Sequence, residues 1–275
     1  MENEFNIPNQ NPIQEYICLS RFRETLFNII IKLLDLPNRS KGLDAGCGIG
    51  LYTKILAESV GDEGNVTGLD LSKEFITYAN RNQLPNIQFE EGDINSLYFE
   101  DNIFDWIWSA DTVWPGPEEL GCPAEDPNKI IKEFYRTLKP GGMLIILFWS
   151  SQKFLPGYPL LEARLNTTSG ATAPFVNGMN PINHIMNAKH WLEKAGFKNI
   201  SAKTFLADIN APLDENTRNV LNIFFQMFWG QSEGQVSKED WNEFKRICNP
   251  NSNDYVLNNP HYYGFYTYTV FKGIK

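Results

Sequence analysis

The stretch KGLDAGCGIG, from Lys41 to Gly50, joins a short apolar run to a turn with glycine at every second position. Between the first strand and the first helix of a parallel sheet, such a turn brings backbone close to a ligand because no Cβ stands in the way. A dinucleotide-binding fingerprint would place its third small residue where Leu51 stands, and the Gly-Lys-Ser/Thr of a phosphate-binding loop is missing. The turn therefore favours a nucleoside ligand without a pyrophosphate.

Strands and helices alternate around this turn. Apolar residues recur with a helical period from Pro12 to Leu36, and Pro37 ends that helix. Further helices are predicted at Leu51–Val60, Ser72–Asn82 and Asn128–Leu138, and strands at Lys41–Ala45, Asn65–Leu69, Asn86–Phe89, Phe104–Ser109 and Met143–Trp149. This alternation predicts an α/β fold whose parallel sheet carries helices on both faces.

Beyond Ser150 the pattern changes. Residues 151–183 are rich in Pro, Gly, Asn and Thr and have no clear period. The remaining predicted elements are helices at Ala188–Ala195, Val220–Trp229 and Lys238–Ile247, a strand at Phe197–Ala207, and a terminal aromatic strand, YYGFYTYTVFKGI. We predict an N-terminal helical lid over residues 1–39 and a main domain over 40–275, with insertions at about 151–187 and 210–259. Aromatic residues concentrate away from the glycine turn, which hints at an apolar binding region.

Composition narrows the class of partner. A formal charge of −9 argues against a protein that binds nucleic acid through contacts with its phosphates. No apolar run reaches the roughly 18 residues of a membrane helix, and the N-terminus does not resemble a secretory signal. The four cysteines have no CxxC spacing and no nearby histidine, so we expect free thiols in a cytoplasmic protein and no metal site: Cys18, Cys47, Cys122 and Cys248.

Five stretches, in this order, resemble the motifs of the class I S-adenosylmethionine-dependent methyltransferases: LDAGCGIG (43–50), GLDLS (68–72), EGDI (91–94), FDWIWSADTVW (104–114) and LKPGGMLII (138–146). The resemblance covers roughly residues 40–150. It implies a Rossmann-like, doubly wound, seven-stranded, mostly parallel sheet with helical insertions that form a lid. It also implies S-adenosyl-L-methionine as the cofactor.

The resemblance assigns a task to each motif residue. Asp70, which lies 20 residues beyond Gly50, would hold the two ribose hydroxyls, and Leu71 would pack on the adenine face. Asp93 would accept the adenine amino proton with Ile94 flanking the ring, although a Gly-Asp pair is also common in turns. The residues implied at the methionine end are Asp44, Gly46, Gly48, Gly50, Ser109 and, closing over the cofactor from the N-terminal helix, Tyr16 and Arg21.

The implied reaction is in-line methyl transfer to a small organic substrate. After the fourth strand this chain has SADTVW, not the Asn/Asp-Pro-Pro-aromatic signature of amino-directed methyltransferases, so the layout is similar to enzymes that act on quinones, sterols and other small metabolites. No catalytic residue is obligatory, and Asp111 and His184 are the candidates. Three alternatives stay open: a scaffold that binds an adenosyl ligand without turnover, an NAD-dependent oxidoreductase, and a polyamine synthase that uses a decarboxylated relative of the cofactor. The sequence shows no paired acidic site for a polyamine after the fourth strand.

Overall fold

The computed structural model describes residues 11–82, 84–175 and 178–275. Its strands are β1 (Lys41–Ala45), β2 (Asn65–Asp70), β3 (Ile87–Glu91), β4 (Phe104–Ala110), β5 (Leu138–Lys153), β6 (Lys198–Asn210) and β7 (Tyr263–Ile274). Its α-helices are α1 (Pro12–Leu34), α2 (Leu51–Val60), α3 (Lys73–Ala79), α4 (Asn128–Thr137), α5 (Pro159–Leu165), α6 (Ser169–Thr172), α7 (Ala188–Ala195), α8 (Glu215–Trp229) and α9 (Lys238–Cys248). Residues 1–10 of the predicted lid and residues 176–177 of the first predicted insertion lie outside the described residues.

The seven strands form one sheet in the order β3-β2-β1-β4-β5-β7-β6. The pairs β1·β2, β1·β4, β2·β3 and β4·β5 are all parallel. The chain runs outward from β1 to β3 and returns to β4 on the other side of β1, so the strand order reverses between β1 and β4. In open α/β sheets, ligands bind beyond the carboxyl ends of the strands at such a reversal.

The last strand reverses direction. The Lys275 N–H donates to the Gly142 carbonyl at one end of β5, and Thr269 pairs with Ser150 through their hydroxyls near the other end. This register requires β7 to run antiparallel to β5. The predicted fold class, a Rossmann-like, mostly parallel sheet of seven strands, is thereby confirmed.

The centre of the sheet is held by side-chain packing that the sequence dictates. Trp106 of β4 is fully buried, and its indole N–H donates to the Ser40 hydroxyl at 2.8 Å. A Cβ on Gly42 would lie 2.0 Å from the Trp106 ring, so only glycine fits beside it in β1. Burial of large apolar side chains such as this one contributes about 2–3 kcal/mol each and fixes β1 against β4.

Several element boundaries differ from the predicted ones. The strand predicted at Met143–Trp149 extends over Leu138–Lys153. At its start Leu138 pairs with Phe104 of β4, and Gly141 and Gly142 bond to Lys275 at the end of the chain. The helix predicted at Ser72–Asn82 ends at Ala79 and continues as a 3-10 turn. The start of β5 depends on contacts with distant residues, and the end of α3 on a change from α-helical to 3-10 geometry. Local composition encodes neither.

The chain divides into two compact units, and the larger one contains all five motifs. Its described residues are 23–82, 84–150, 178–205 and 268–275. Phe148 of β5 packs edge-on against Trp191 of α7, with ring centroids 6.1 Å apart, and both rings are fully buried. These contacts cover the sheet on the side of α7.

The second unit contains the described residues 11–22, 151–175 and 206–267. Its aromatic rings pack on one another: Phe154 stacks on Phe224 at 5.8 Å, and Trp229 contacts Phe244 at 6.3 Å. Trp229 is fully buried and donates to Asn166. These rings therefore form a hydrophobic core, and the apolar binding region expected from the aromatic composition stays a prediction. Residues 151–175, which have no period in the sequence, include two short helices, α5 and α6.

Candidate active site

Asp70 lies at the end of β2, and two backbone amides orient its carboxylate. The Gly48 N–H donates to Oδ2 at 2.8 Å, and the Ser72 N–H donates to Oδ1 at 2.9 Å. A carboxylate offers about four acceptor positions, so these bonds leave capacity for two further hydroxyl donors. Asp70 is partly exposed, which leaves it accessible to a ligand. The geometry fits the ribose contact that the sequence predicts.

The residues predicted around the adenine differ in exposure. Leu71 is 72% exposed, which leaves its side chain accessible to a flat ring. Ile94 is buried. Asp93 is exposed, and its Oδ1 accepts hydrogen bonds from the backbone and side-chain N–H groups of Asn95 at 2.8 and 3.0 Å. The structure thus gives Asp93 a turn-forming role, and its adenine contact stays a prediction.

The three glycines of the turn have positive φ angles of 83°, 55° and 78°, at Gly46, Gly48 and Gly50. L-residues adopt this left-handed region at a cost of roughly 1–2 kcal/mol. A Cβ on Gly46 would lie 2.1 Å from Thr112 Oγ1, and a Cβ on Gly50 would lie 2.4 Å from the Phe89 ring. Gly46 and Gly50 are therefore required by the protein's own packing, while Gly48 supplies the amide that orients Asp70.

Asp44 is a buried carboxylate at the end of β1. It is 2% exposed, and its Oδ2 accepts a hydrogen bond from the Thr53 hydroxyl at 2.7 Å. Burial raises the pKa of Asp44 to about 7; the Thr53 bond opposes this shift, and the nearby charge of Asp70 adds to it. A cationic group placed beside Asp44 would favour its ionised form. The residue fits the predicted contact with an ammonium or a sulfonium.

Ser109 is fully buried in β4, and its hydroxyl donates to the Ala45 carbonyl of β1 at 2.9 Å. Its side chain therefore holds the two central strands together beside the point where the strand order reverses. The predicted approach of its backbone to the methionine amine stays a prediction.

The predicted closure of Tyr16 and Arg21 of helix α1 over the cofactor stays a prediction. Tyr16 is 39% exposed, and Arg21, the residue predicted to meet the cofactor carboxylate, is exposed. Arg23, two residues further on, is held by the Asp111 carboxylate at 2.9 Å and the Tyr268 hydroxyl at 2.9 Å. Burial opposes its charge, but the neighbouring Tyr268, Tyr52 and Asp111 outweigh this and raise the pKa of Arg23 above its ordinary value.

Sequence reasoning missed Arg23 and Tyr268 because Asp111 lies 88 and 157 residues away from them along the chain. One signal was present. Arg23 lies four residues before Phe27 and seven before Ile30, so it shares the apolar face of α1 with two buried residues. A charged residue on such a face requires a buried partner.

The second catalytic candidate, His184, has a structural partner. Its Nδ1 accepts a hydrogen bond from the Met186 N–H at 3.2 Å and caps a single 3-10 turn, and burial lowers its pKa. The four cysteines are free thiols, as predicted. Within the described ranges, no group of three or more His, Cys, Asp or Glu residues could hold a metal ion. In the same part of the chain, no helix combines the length and the apolar character needed to cross a membrane.

Comparison with known proteins points to methyltransferases. Residues 43–146 match the family model described as a methyltransferase domain. A demethylmenaquinone methyltransferase from Staphylococcus epidermidis is 36% identical over 129 residues, which are 46% of this chain and 50% of the relative. The chain thus spans about half the length of the first curated relatives it matches. A second one, from Staphylococcus carnosus, is 30% identical over 200 residues, which are 66% of this chain and 78% of the relative.

Among solved structures, a SAM-dependent methyltransferase from Aquifex aeolicus is similar with a TM-score of 0.52 at 17% identity, covering 97% of this chain and all of the other. At this identity the likeness shows the fold alone. The match to the Staphylococcus carnosus relative covers more than two thirds of that protein and settles the family. The chain belongs to the class I S-adenosylmethionine-dependent methyltransferases, which confirms the cofactor predicted from the motifs.

Proposed function

We propose that the chain transfers a methyl group from S-adenosylmethionine to a small organic acceptor by in-line displacement. The observation that carries this proposal is the carboxylate of Asp70, oriented by the Gly48 and Ser72 amides at the carboxyl end of β2. A carboxylate in this position accepts the two hydroxyls of a ribose. The buried Asp44, on the neighbouring strand, provides a negative group for the cationic end of the same ligand.

The bound cofactor would supply an electrophilic methyl group on a sulfonium. The chain's residues then have three tasks: Asp70 holds the ribose, the exposed Leu71 covers the adenine, and Asp44 faces the cationic methionine end. Because the sulfonium is already reactive, alignment of the acceptor and exclusion of water supply much of the rate.

A general base is needed only if the accepting atom carries a proton of high pKa. Asp111 and His184 stay the candidates for that role. Both already have partners in the structure: Asp111 with Arg23 and Tyr268, and His184 with the Met186 amide. Methyl transfer to an acceptor that is already nucleophilic requires neither.

The acceptor class is suggested by the relatives and by the loop after β4. The relatives are demethylmenaquinone methyltransferases, and the SADTVW segment differs from the signature of amino-directed enzymes. An aromatic quinol of the naphthoquinone type is therefore the first acceptor to test. We propose no nucleic acid partner, since the chain carries a net charge of −9.

The cofactor is tested by thermal unfolding with S-adenosylmethionine, S-adenosylhomocysteine and NAD added separately. A ligand at 100 times its dissociation constant adds about 2.7 kcal/mol to the free energy of unfolding. This is a rise of roughly several degrees for a chain of this size. We expect a rise with the two adenosyl ligands and none with NAD. A rise with NAD alone would contradict the proposal.

Turnover is tested by following tritium from methyl-labelled S-adenosylmethionine into a demethylated naphthoquinol. Incorporation that disappears in the Asp70→Ala variant is the expected result. A chain that binds S-adenosylhomocysteine but transfers no methyl group to any acceptor in a broad quinol, sterol and amine screen would instead be a non-enzymatic scaffold.

A further inference from the structure

Three side chains from separate elements form a closed cluster within the larger unit, and we refer to Arg23, Asp111 and Tyr268 as the α1 cluster. Arg23 Nη1 donates to Asp111 Oδ2 and to the Tyr268 hydroxyl, each at 2.9 Å, and the Tyr268 hydroxyl in turn donates to Asp111 Oδ2. Tyr268 is fully buried, and the side chains of Arg23 and Asp111 are only 14% and 21% exposed. A buried ion pair with this geometry resists separation, because breaking it leaves an uncompensated charge.

Asp111 is also fixed from the side of β5. Its Oδ1 accepts the Trp149 N–H at 2.9 Å, and its own N–H donates to the Leu147 carbonyl at 2.9 Å. Its φ of 49° lies in the left-handed region, where aspartate and asparagine are tolerated better than other L-residues. Backbone and side chain together therefore hold the carboxylate in one orientation.

The cluster touches both sides of the glycine turn. Arg23 lies with its guanidinium carbon 5.8 Å from the ring centroid of Tyr52, in the first turn of α2, and Phe27 packs on the same ring at 4.4 Å. On the other side, Thr112, which follows Asp111, has its Oγ1 3.5 Å from the Gly46 carbonyl. The segment from Arg23 to Phe27 is thus anchored at the start of the helix that follows the turn.

The chemistry of the cluster is unsuited to proton transfer. Arg23, Tyr268 and the Trp149 N–H already fill three of the roughly four acceptor positions of the Asp111 carboxylate, so at most one position is left for a substrate. Burial raises the pKa of Tyr268 well above its ordinary value, which keeps the phenol protonated. The geometry suits an anchor better than a base.

We propose that Asp111 is a positioning residue of the methyl-transfer site: by holding Arg23 and Tyr268, it keeps the Arg23–Phe27 segment packed on Tyr52 beside the glycine turn and so slows the escape of the bound cofactor. The proposal rests on the proposed function. It gives Asp111 a role in retaining and aligning the adenosyl ligand, in place of the catalytic role considered from the sequence. Loss of this anchor should therefore change mainly the rate at which the cofactor dissociates, because the anchored segment must move before the ligand leaves.

The test measures dissociation of tritiated S-adenosylhomocysteine, chased with excess unlabelled ligand, from the full chain. Asp111→Asn is the central variant, because asparagine tolerates the left-handed backbone and can still accept the Trp149 N–H while removing the charge that holds Arg23. We expect the dissociation rate to rise about tenfold, which is 1.4 kcal/mol, with the association rate changed less than about threefold.

A matched pair separates this role from general loss of stability. Tyr268→Phe removes the hydroxyl from the α1 cluster, whereas Tyr262→Phe removes an equally buried hydroxyl that donates to the Phe154 carbonyl. Tyr262→Phe costs one buried hydrogen bond, on the order of 1 kcal/mol of folding free energy, and Tyr268→Phe costs more, because its hydroxyl bonds to both Arg23 and Asp111. Only Tyr268→Phe should accelerate dissociation at a temperature far below unfolding.

A double-mutant cycle checks that the residues act together. Arg23→Gln and Asp111→Asn should each accelerate dissociation, and the double variant should exceed the faster single variant by less than about twofold. A wild-type chain that fails to bind S-adenosylhomocysteine would overturn the proposed function and this inference with it. Wild-type binding with unchanged dissociation in Asp111→Asn, Tyr268→Phe and Arg23→Gln would overturn the positioning role alone.

Discussion

Asp70 and Asp111 are both carboxylates at the carboxyl edge of the same sheet, but they are held in opposite ways. Asp70 accepts from two backbone amides, one of them two residues away and the other 22. Asp111 accepts from Arg23 and Tyr268, side chains that lie 88 and 157 residues away, as well as from the Trp149 amide. One end of the candidate site is therefore built from backbone and the other mainly from side chains.

This difference has a physical consequence. A backbone amide is present whatever side chain the residue carries, so the ribose end tolerates substitution at its neighbours as long as the turn keeps its shape. The α1 cluster loses its ion pair when Arg23 or Asp111 is replaced, and the surviving partner stays in a buried place without that counter-charge. Four predictions follow from this difference. They concern Gly46, which lies where the two regions meet, the carboxylate Asp70 that backbone amides orient, and, in the last two, the buried carboxylate Asp44.

The largest effect is expected at Gly46, where the two regions meet. Gly46→Ala forces an L-residue into φ +83° and drives its Cβ to 2.1 Å from Thr112 Oγ1, next to Asp111. Left-handed strain of about 1–2 kcal/mol and overpacking of about 1–3 kcal/mol together predict a loss of roughly 3 kcal/mol or more in the free energy of unfolding. Urea denaturation of the purified variant measures it.

Gly141→Ala is the control for this prediction. Gly141 has nearly the same φ, +81°, but no atom lies within 4 Å of the Cβ that an alanine would add. It should cost only the backbone strain, about 1–2 kcal/mol. Equal losses in the two variants would mean that the contact between Gly46 and Thr112 does not constrain the turn.

The second-largest effect is a loss of ligand affinity at Asp70, the carboxylate that backbone amides orient. Asp70→Ala removes a charged acceptor of two ribose hydroxyls, and hydrogen bonds to charged groups contribute about 1.5–3 kcal/mol each. We expect the affinity for S-adenosylhomocysteine to fall about a hundredfold, or 2.7 kcal/mol, measured by isothermal titration calorimetry.

Asp105→Ala is the matched control for Asp70→Ala. Asp105 also accepts a hydrogen bond from a backbone amide, the Lys41 N–H at 2.8 Å, and it forms an ion pair with Lys139. It lies near the start of β4, at the edge of the sheet opposite to the one that carries Asp70. Its removal should lower stability and leave ligand affinity unchanged. An equal loss of affinity in both variants would show that the effect of Asp70 comes from the fold and not from the ribose.

The same distinction explains what the sequence could and could not predict. The strands around the glycine turn follow from local apolar runs, and Asp70 follows from its place at the end of one of them. The Arg23–Tyr268 contact spans 245 residues, and no local pattern encodes a pair of that separation. The extension of β5 to Leu138 also depends on pairing with other strands, at Phe104 of β4 and at the distant Lys275. Contacts between remote side chains and strands arise only when the whole fold brings them together.

Asp44 shows how burial adds a property that sequence position alone does not reveal. Its folded-state pKa of about 7 exceeds the ordinary aspartate value of about 3.9, so the folded chain holds a proton that the unfolded chain releases. The free energy of unfolding should therefore decrease as pH rises from about 4 to 7. Asp44→Asn, which cannot ionise, should flatten the stability profile in that window.

The smallest effect is expected in cofactor binding. A cationic ligand favours ionised Asp44, so below pH 7 binding must first remove its proton, and affinity for S-adenosylmethionine should rise about tenfold between pH 6 and pH 8. Calorimetry in buffers of different ionisation enthalpy would detect the released proton. Thr53→Val removes the hydroxyl bond that favours the charged form, so it should move the transition to higher pH, whereas Thr53→Ser should leave it in place. An affinity that does not change with pH in the wild type would mean that Asp44 keeps its protonation state on binding and does not meet the cationic end of the cofactor.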